Sequence, residues 1–251
     1  MFFAVRILMN DPIQSPIPFL GRRDFIVASA GILIASQTLQ KAAGGDEPES
    51  RPADVKKNRI YQYEDFLKDA VPAAKQLVGD TSRAGQDRYL HTIAALACLL
   101  LDVPAPKMTD KGNGTAIGAN PSEAPFVVLH WKMEPGSVIT PHPHIYGNVV
   151  TICLEGEVRV SNYEVMGEPD YNKKGTFQVR KTVDQWLSPG HTNLVNLDKN
   201  YIHGFEAGRS GARGLDITTK IRERVPSPSM DVAKIPRDAS RSIFDASWLY
   251  L

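Results

Sequence analysis

Two cysteines in 251 residues, Cys98 and Cys153, are too few to build a disulfide framework, and two lone buried thiols are the simpler reading. Long hydrophobic runs are missing as well. The moderately apolar stretch from Phe25 to Ser36 has 12 residues, against the roughly 20 needed to span a bilayer. Neither sign of charge dominates, with 29 basic against 28 acidic residues and a formal net charge of +1. The electrostatic footprint of a nucleic-acid binder is therefore absent, which excludes a nucleic-acid partner. No internal repeat of useful period appears. What remains is 42% hydrophobic and 23% charged residues, the composition of a soluble globular protein, at a length that suits one large domain with an ordinary core.

The N-terminal stretch reads as an address rather than as fold. In "GRRDFIVASAGILIAS", Arg22 and Arg23 directly precede the apolar run, which resembles a twin-arginine export signal. A short amphipathic or anchoring helix is the alternative. On the export reading, residues 1–44 are a signal peptide, cleaved after Ala42-Ala43-Gly44, and the protein is periplasmic with no stable membrane association after processing. That route carries proteins already folded, which agrees with a domain loaded with its cofactor before export. Residues 45–60, charged and carrying Pro48 and Pro52, form a linker. From 61 to 105 apolar residues recur three and four apart in "YEDFLKDAVPAAKQLV" and "SRAGQDRYLHTIAALACLLLDV", which predicts two helices. Ser82 is placed to cap the second, and Pro72 to kink or end the first. Between 106 and 225 the pattern changes to short β-branched runs punctuated by Gly and Pro, the signature of an all-β barrel or sandwich. The segment 226–251 is left as a C-terminal tail.

The chemistry concentrates in "GSVITPHPHIYGNVVTICLEGEVRV", Gly136 to Val160. On a strand, residues i and i+2 share a face, so His142 and His144 project together. Pro141 and Pro143 lack backbone N–H groups, which puts this strand start at an edge or barrel mouth where a ligand can enter. His203, in "NYIHGFEAG", is the best third ligand, because a barrel can bring its strand across. Three neutral imidazoles leave coordination positions free, as a catalytic metal site requires. The other histidines read differently: His91 as a packed or capped core residue of the second helix, His130 as structural, and His191 as part of an exposed turn.

These residues resemble the cupin family. Gly136, five residues, His142-Pro143-His144, four residues, Val149, six residues and Gly156 follow the spacing of the first cupin motif, with Val149 where the acidic ligand usually stands. Cupins without that acid include the thiol dioxygenases. The resemblance to plant cysteine oxidases and cysteamine dioxygenases runs from Val127 to Ile221 and includes "TPHPH", "LEGEVRVSNYE", "WLSPGHTNLV", "NYIHGFEA" and "LDI". It implies a mainly β fold, a single cupin-type barrel (a double-stranded β-helix) with the N-terminal helices packed on it. It also implies Fe(II) held by His142, His144 and His203, with a small thiol and O2 as substrates and a sulfinate as product. Asp216 matches an acidic residue that influences activity in the plant enzymes, and it joins Tyr146 as a candidate for orienting the site. No arginine occurs between Arg88 and Arg159 to grip a carboxylate as cysteine dioxygenases do. An aminothiol, or a cysteine at a chain end, therefore fits better than free cysteine. A cupin that binds a small ligand without turnover, and a Zn or Mn cupin acting as isomerase or lyase, are the alternatives.

Overall fold

The computed structural model describes residues 61–100, 103–172, 174–223 and 227–250. The signal segment with Arg22 and Arg23, and the linker after it, lie outside the described residues. Among the described residues no helix is long and apolar enough to cross a membrane.

Two helices open the described chain: α1 (Tyr63–Gly79) and α2 (Arg83–Ala97). In α1 the asymmetric spacing of Tyr63, Phe66, Ala70, Val71, Ala74 and Leu77 makes one buried stripe. Contrary to the expectation from Pro72, α1 continues through that residue to Gly79. Pro72 sits on the exposed side, so the carbonyl it leaves without an N–H partner is on the watered side. The stripe anchors both halves of the helix. Ser82 caps α2 as its position suggests, its hydroxyl accepting the Gly85 N–H at 3.1 Å. His91 departs from expectation and is exposed. The buried stripe of α2 is Tyr89, Leu90, Ile93, Ala94 and Ala97, and at 100° per residue position 91 falls outside it.

Ten strands follow: β1 (Thr109–Gly112), β2 (Thr115–Asn120), β3 (Phe126–Met133), β4 (Val138–Pro143), β5 (Gly147–Val165), β6 (Thr176–Leu187), β7 (Thr192–Val195), β8 (Ile202–Lys220), β9 (Ser229–Val232) and β10 (Ile243–Leu249). All the pairings are antiparallel, in the order β1-β2-β3-β8-β5-β6-β10-β9, with β4 added to β8 and β7 to β5. The last two strands lie in the stretch that the sequence leaves as a tail. Its short mixed runs, "SMDV" and "IFDASWL", become strands because β6 offers β10 an edge and β10 offers one to β9.

The long pair β5 and β8 is the spine, each of 19 residues. The first half of β5 pairs with the second half of β8, which β3 extends on one side and β7 on the other. The second half of β5 pairs with the first half of β8, extended by β6 and β4. Between the halves, register shifts at Cys153/Glu155 and Gly156/Val158 coincide with Gly156 (φ +69°) and Gly211 (φ +74°). A Cβ on Gly156 would collide with the Gly211 carbonyl, so glycine is needed where the strands cross the bend. The sheet thereby curls over itself. His203 and Asp216, thirteen residues apart on β8, would be separated by about 43 Å on a straight strand, yet they approach to 3.8 Å.

Curling gives the protein an inside and an outside. Trp131, Met133, Cys153, Val158, Val160, Leu187, Phe205, Ala207 and Ala212 pack together between the two halves. The helices cover the outer face of the first half, burying Phe126, Val128, Val150, Ile152, Leu215 and Ile217 under Phe66, Leu90 and Ile93. That outer face also holds His130, 1% exposed, whose Nε2 lies 3.0 Å from the amide nitrogen of Asn120. A structural role for His130 follows, and His191 lies at an exposed turn where its Nδ1 accepts the Ser188 N–H at 3.2 Å.

Candidate metal centre

The fold brings the three histidines expected from the sequence to one point. His142 on β4 lies opposite His203 on β8, and His144 follows in the short connection to β5. The backbone N–H of His144 donates to the Tyr201 carbonyl at 2.7 Å, which ties that connection to the residues entering β8. The Nε2 of His144 lies 2.8 Å from that of His203 and 3.2 Å from that of His142. One nitrogen from each ring falls within a sphere in which all are within 4.8 Å of one another.

These separations suit a metal. Two imidazole nitrogens bound at about 2.1 Å and roughly at right angles are about 3.0 Å apart. The Nδ1 of His142 lies 3.0 Å from the Thr140 carbonyl. A carbonyl only accepts, so Nδ1 carries the proton and Nε2 presents its lone pair to the cluster. Burial holds His142 below the ordinary imidazole range, opposed by the bond to Thr140. His203 lies well below that range, first because of burial and then because of the neighbouring His144 and His142. Neutral imidazole is the ligating form, and three of them converging where His144 and His203 are buried and His142 half-buried fit a divalent metal.

Asp216 stands beside the cluster, its Oδ2 3.8 Å from His203 Nε2. The Thr151 hydroxyl donates to Oδ1 at 2.6 Å. Burial pushes this carboxyl up to about 6, with the hydrogen bond from Thr151 acting in the opposite direction. Tyr146 flanks the other side, its ring centroid 6.1 Å from that of His144. Val149 is fully buried and lies opposite Thr218 and Val195 in the first half of the curl.

Several polar residues of this interior escape the sequence reading. Asn162 pairs with His203 across β5 and β8, Thr151 with both Asp216 and Asn193, and Val149 with Thr218. Asn162, Asn193 and Thr218 are all buried. A usable signal exists in the alternation of each strand, because Val149, Thr151 and Cys153 share one face of β5 and Asp216 and Thr218 share that same face on β8. The shift of parity at the bend hides which faces meet. No Lys or Arg is buried among the described residues.

The helical layer grips the loop that enters β8 through Gln86 and Asp87 of α2. Gln86 of α2 is 1% exposed. Its amide nitrogen donates to the Thr81 carbonyl at 2.9 Å and to Asp198 Oδ2 at 3.1 Å, and its Oε1 accepts the Leu197 N–H at 3.2 Å. Asn196 completes this loop: its Oδ1 accepts the amides of Asp198 (2.9 Å) and Lys199 (2.5 Å), and its Nδ2 donates to Asp87 (3.2 Å). The loop leads directly to Tyr201 and His203.

The chain matches no protein-family model and no curated protein. Among solved structures it is similar to KdgF from Halomonas sp., with 20% identity over 47% of this chain and 88% of that one and a TM-score of 0.35. It is similar to an oxalate oxidase, with 16% identity over 47% of this chain and 57% of that one and a TM-score of 0.35. The Schizosaccharomyces pombe Cnp3 cupin domain gives 11% identity over 47% and 72%, with a TM-score of 0.35. These similarities span under half of the chain with weak superposition, so function is read from the side chains of the site itself.

Proposed function

We propose that this chain is an Fe(II)-dependent thiol dioxygenase that adds both atoms of O2 to the sulfur of a small aminothiol or cysteine-type substrate, giving a sulfinate. The observation that carries this reading is the donor set. Three imidazole nitrogens converge at 2.8 and 3.2 Å, and Val149 stands where the cupin pattern has its acid. Three neutral ligands leave positions for thiol and O2, whereas a fourth carboxylate would fill one of them. Iron held by His142, His144 and His203 would supply a Lewis-acidic, redox-active centre that favours the thiolate and brings both reactants together.

The protein's own groups account for the rest. The Thr140 carbonyl fixes the His142 tautomer, and the Tyr201 carbonyl holds the His144 backbone. Asp216, fixed by Thr151, is placed to orient an amine or thiol lying beside His203, and Tyr146 borders the approach at His144. The absence of any buried Lys or Arg among the described residues leaves no cation to receive a substrate carboxylate. That favours an aminothiol, or a cysteine at a chain end, over free cysteine. Packing between Phe205, Trp131 and the aliphatic residues of the curl excludes water from one side.

Metal analysis and oxygen uptake test the reading together. The Fe(II)-loaded protein is expected to consume O2 with at least one of cysteamine, cysteine or a peptide beginning with cysteine, and mass spectrometry should find two added oxygen atoms. Replacing His142, His144 or His203 by Ala should reduce iron content at least about tenfold and abolish uptake, while His91→Ala and His191→Ala keep both. A fully loaded protein that consumes no O2 with any thiol would sink the enzyme and leave a binding protein. Export to the periplasm by the twin-arginine route belongs to the same proposal. Exchanging Arg22 and Arg23 for Lys is expected to leave precursor in the cytoplasm, and unchanged export would overturn that part.

A further inference from the structure

Beyond the three histidines and Asp216, the interior holds polar atoms whose hydrogen-bonding capacity the protein leaves unused. The Asn162 Oδ1, the Asn193 Nδ2 and the Thr218 Oγ1 are buried without a partner. Buried polar groups without partners cost free energy, so their retention is informative. Their position is specific. Asn162 lies directly opposite His203. Its Nδ2 reaches the Leu194 carbonyl at 3.5 Å, which places it against β7 next to Asn193. Asn193 faces Thr151, the residue that holds Asp216. Thr218 is two residues from Asp216 on the same strand face. Together they add, on the same inner face as His203 and Asp216, donors and acceptors that carry no charge.

We propose that Asn162, Asn193 and Thr218 form a wall that receives an uncharged hydrogen-bonding group, an amide or a hydroxyl, carried by the thiol ligand. This rests on the reading of the three histidines as a metal centre that binds a thiol. The amide oxygen of Asn162 takes a donor from the ligand, and the amide nitrogen of Asn193 and the hydroxyl of Thr218 supply donors to its acceptor. A secondary amide offers both kinds of group on adjacent atoms and matches the wall. A site built from such groups discriminates against an analogue that lacks them, because the buried partners are then left unpaired.

The test uses Co(II)-loaded protein under anaerobic conditions, with thiolate binding followed by its charge-transfer absorption. The probes are N-acetylcysteamine, which carries a neutral amide, and 1-butanethiol, which does not. Wild type is expected to bind N-acetylcysteamine at least about tenfold tighter. That preference should fall to near unity in Asn193→Leu and in Thr218→Val, each of similar shape to the original, with Asn162→Leu as a third variant. Should one variant fail to fold, the preference in wild type and in the others still decides. Equal affinities in wild type, or a preference that survives in the variants that fold, would overturn the proposal and assign the wall to interior water only. Failure of wild type to bind Co(II) would instead remove the metal reading, and this inference with it.

Discussion

At Val149 a single side chain separates a four-ligand cupin pattern from the three-histidine set. The residue is wholly buried on a strand whose neighbours Asn148 and Val150 are buried too, so the position is dry on both faces of the sheet. On the proposed dioxygenase reading, Val149→Glu is expected to bind metal as well as wild type or better, because it adds an anionic donor, while oxygen uptake falls at least about tenfold as a position proposed for thiol or O2 is filled. Metal content and uptake measured on one preparation check this, and a variant with undiminished uptake would show that Val149 has no bearing on the site. His130 allows a second prediction at this scale. Burial first, and then the Arg213 charge, lower it from 6.5 to about 4, and the Asn120 amide nitrogen donates to its Nε2 only when the ring is neutral. A folded-state value below the unfolded one means that this stability is present above pH 6.5 and is lost as pH falls toward 4. The contribution is roughly 3 kcal/mol. Between pH 7.5 and pH 4.5 the melting temperature of wild type should therefore drop several degrees further than that of His130→Gln, which keeps an acceptor for Asn120 without the titration.

Helix α2 does more than cover the sheet, since Gln86 grips the loop that delivers Tyr201 and His203. Gln86→Glu would set two carboxylates against each other at about the present 3.1 Å contact with Asp198, loosening the loop and with it the spacing of His144 and His203. Metal affinity, measured by chelator competition, is expected to weaken about tenfold. The double variant Gln86→Glu with Asp198→Asn supplies a donor again and should recover most of the loss. Recovery is the informative result, because general destabilisation by the first substitution would not be relieved by the second. None of this is readable from the chain, where Gln86 and Asp198 are two ordinary polar residues 112 positions apart. The histidine pair is readable, because a two-residue strand period fixes its common face whatever the rest of the fold does. His203 is readable as one of few histidines on a β-branched run. The helices are readable from their apolar spacing, but His91 is misplaced by it, since a helix with apolar residues on two turns does not reveal which flank is solvated. Asn162 and Thr218 stay hidden because the bend at Gly156 and Gly211 swaps the inward parity of β5 and β8 midway, and Asn193 because its inward face follows from the pairing of the four-residue β7 with β5.

The curled sheet and its helices depend on one another as layers. The outer face of the first half carries Phe126, Val128, Val150, Ile152, Leu215 and Ile217, all buried in one cluster with residues of α1 and α2. An uncovered apolar face of that kind is an aggregation surface, and the helices turn their own buried stripes into the same cluster. Mutual burial predicts that helices and sheet melt as a unit. Far-UV circular dichroism at 222 nm, where α1 and α2 contribute most, and the near-UV signal of the buried sheet tryptophans Trp131 and Trp248 should give the same midpoint. Phe66 is the place to test the coupling, because it is fully buried and its ring centroid lies 5.8 Å from that of Phe126 across the layer boundary. Phe66→Ala should cost about 3–5 kcal/mol and lower both midpoints together by roughly 6–20 °C. Loss of the helical signal at a lower temperature, with the near-UV signal of the sheet tryptophans unchanged, would mean instead that the helices form a separate layer and that the sheet stands without them.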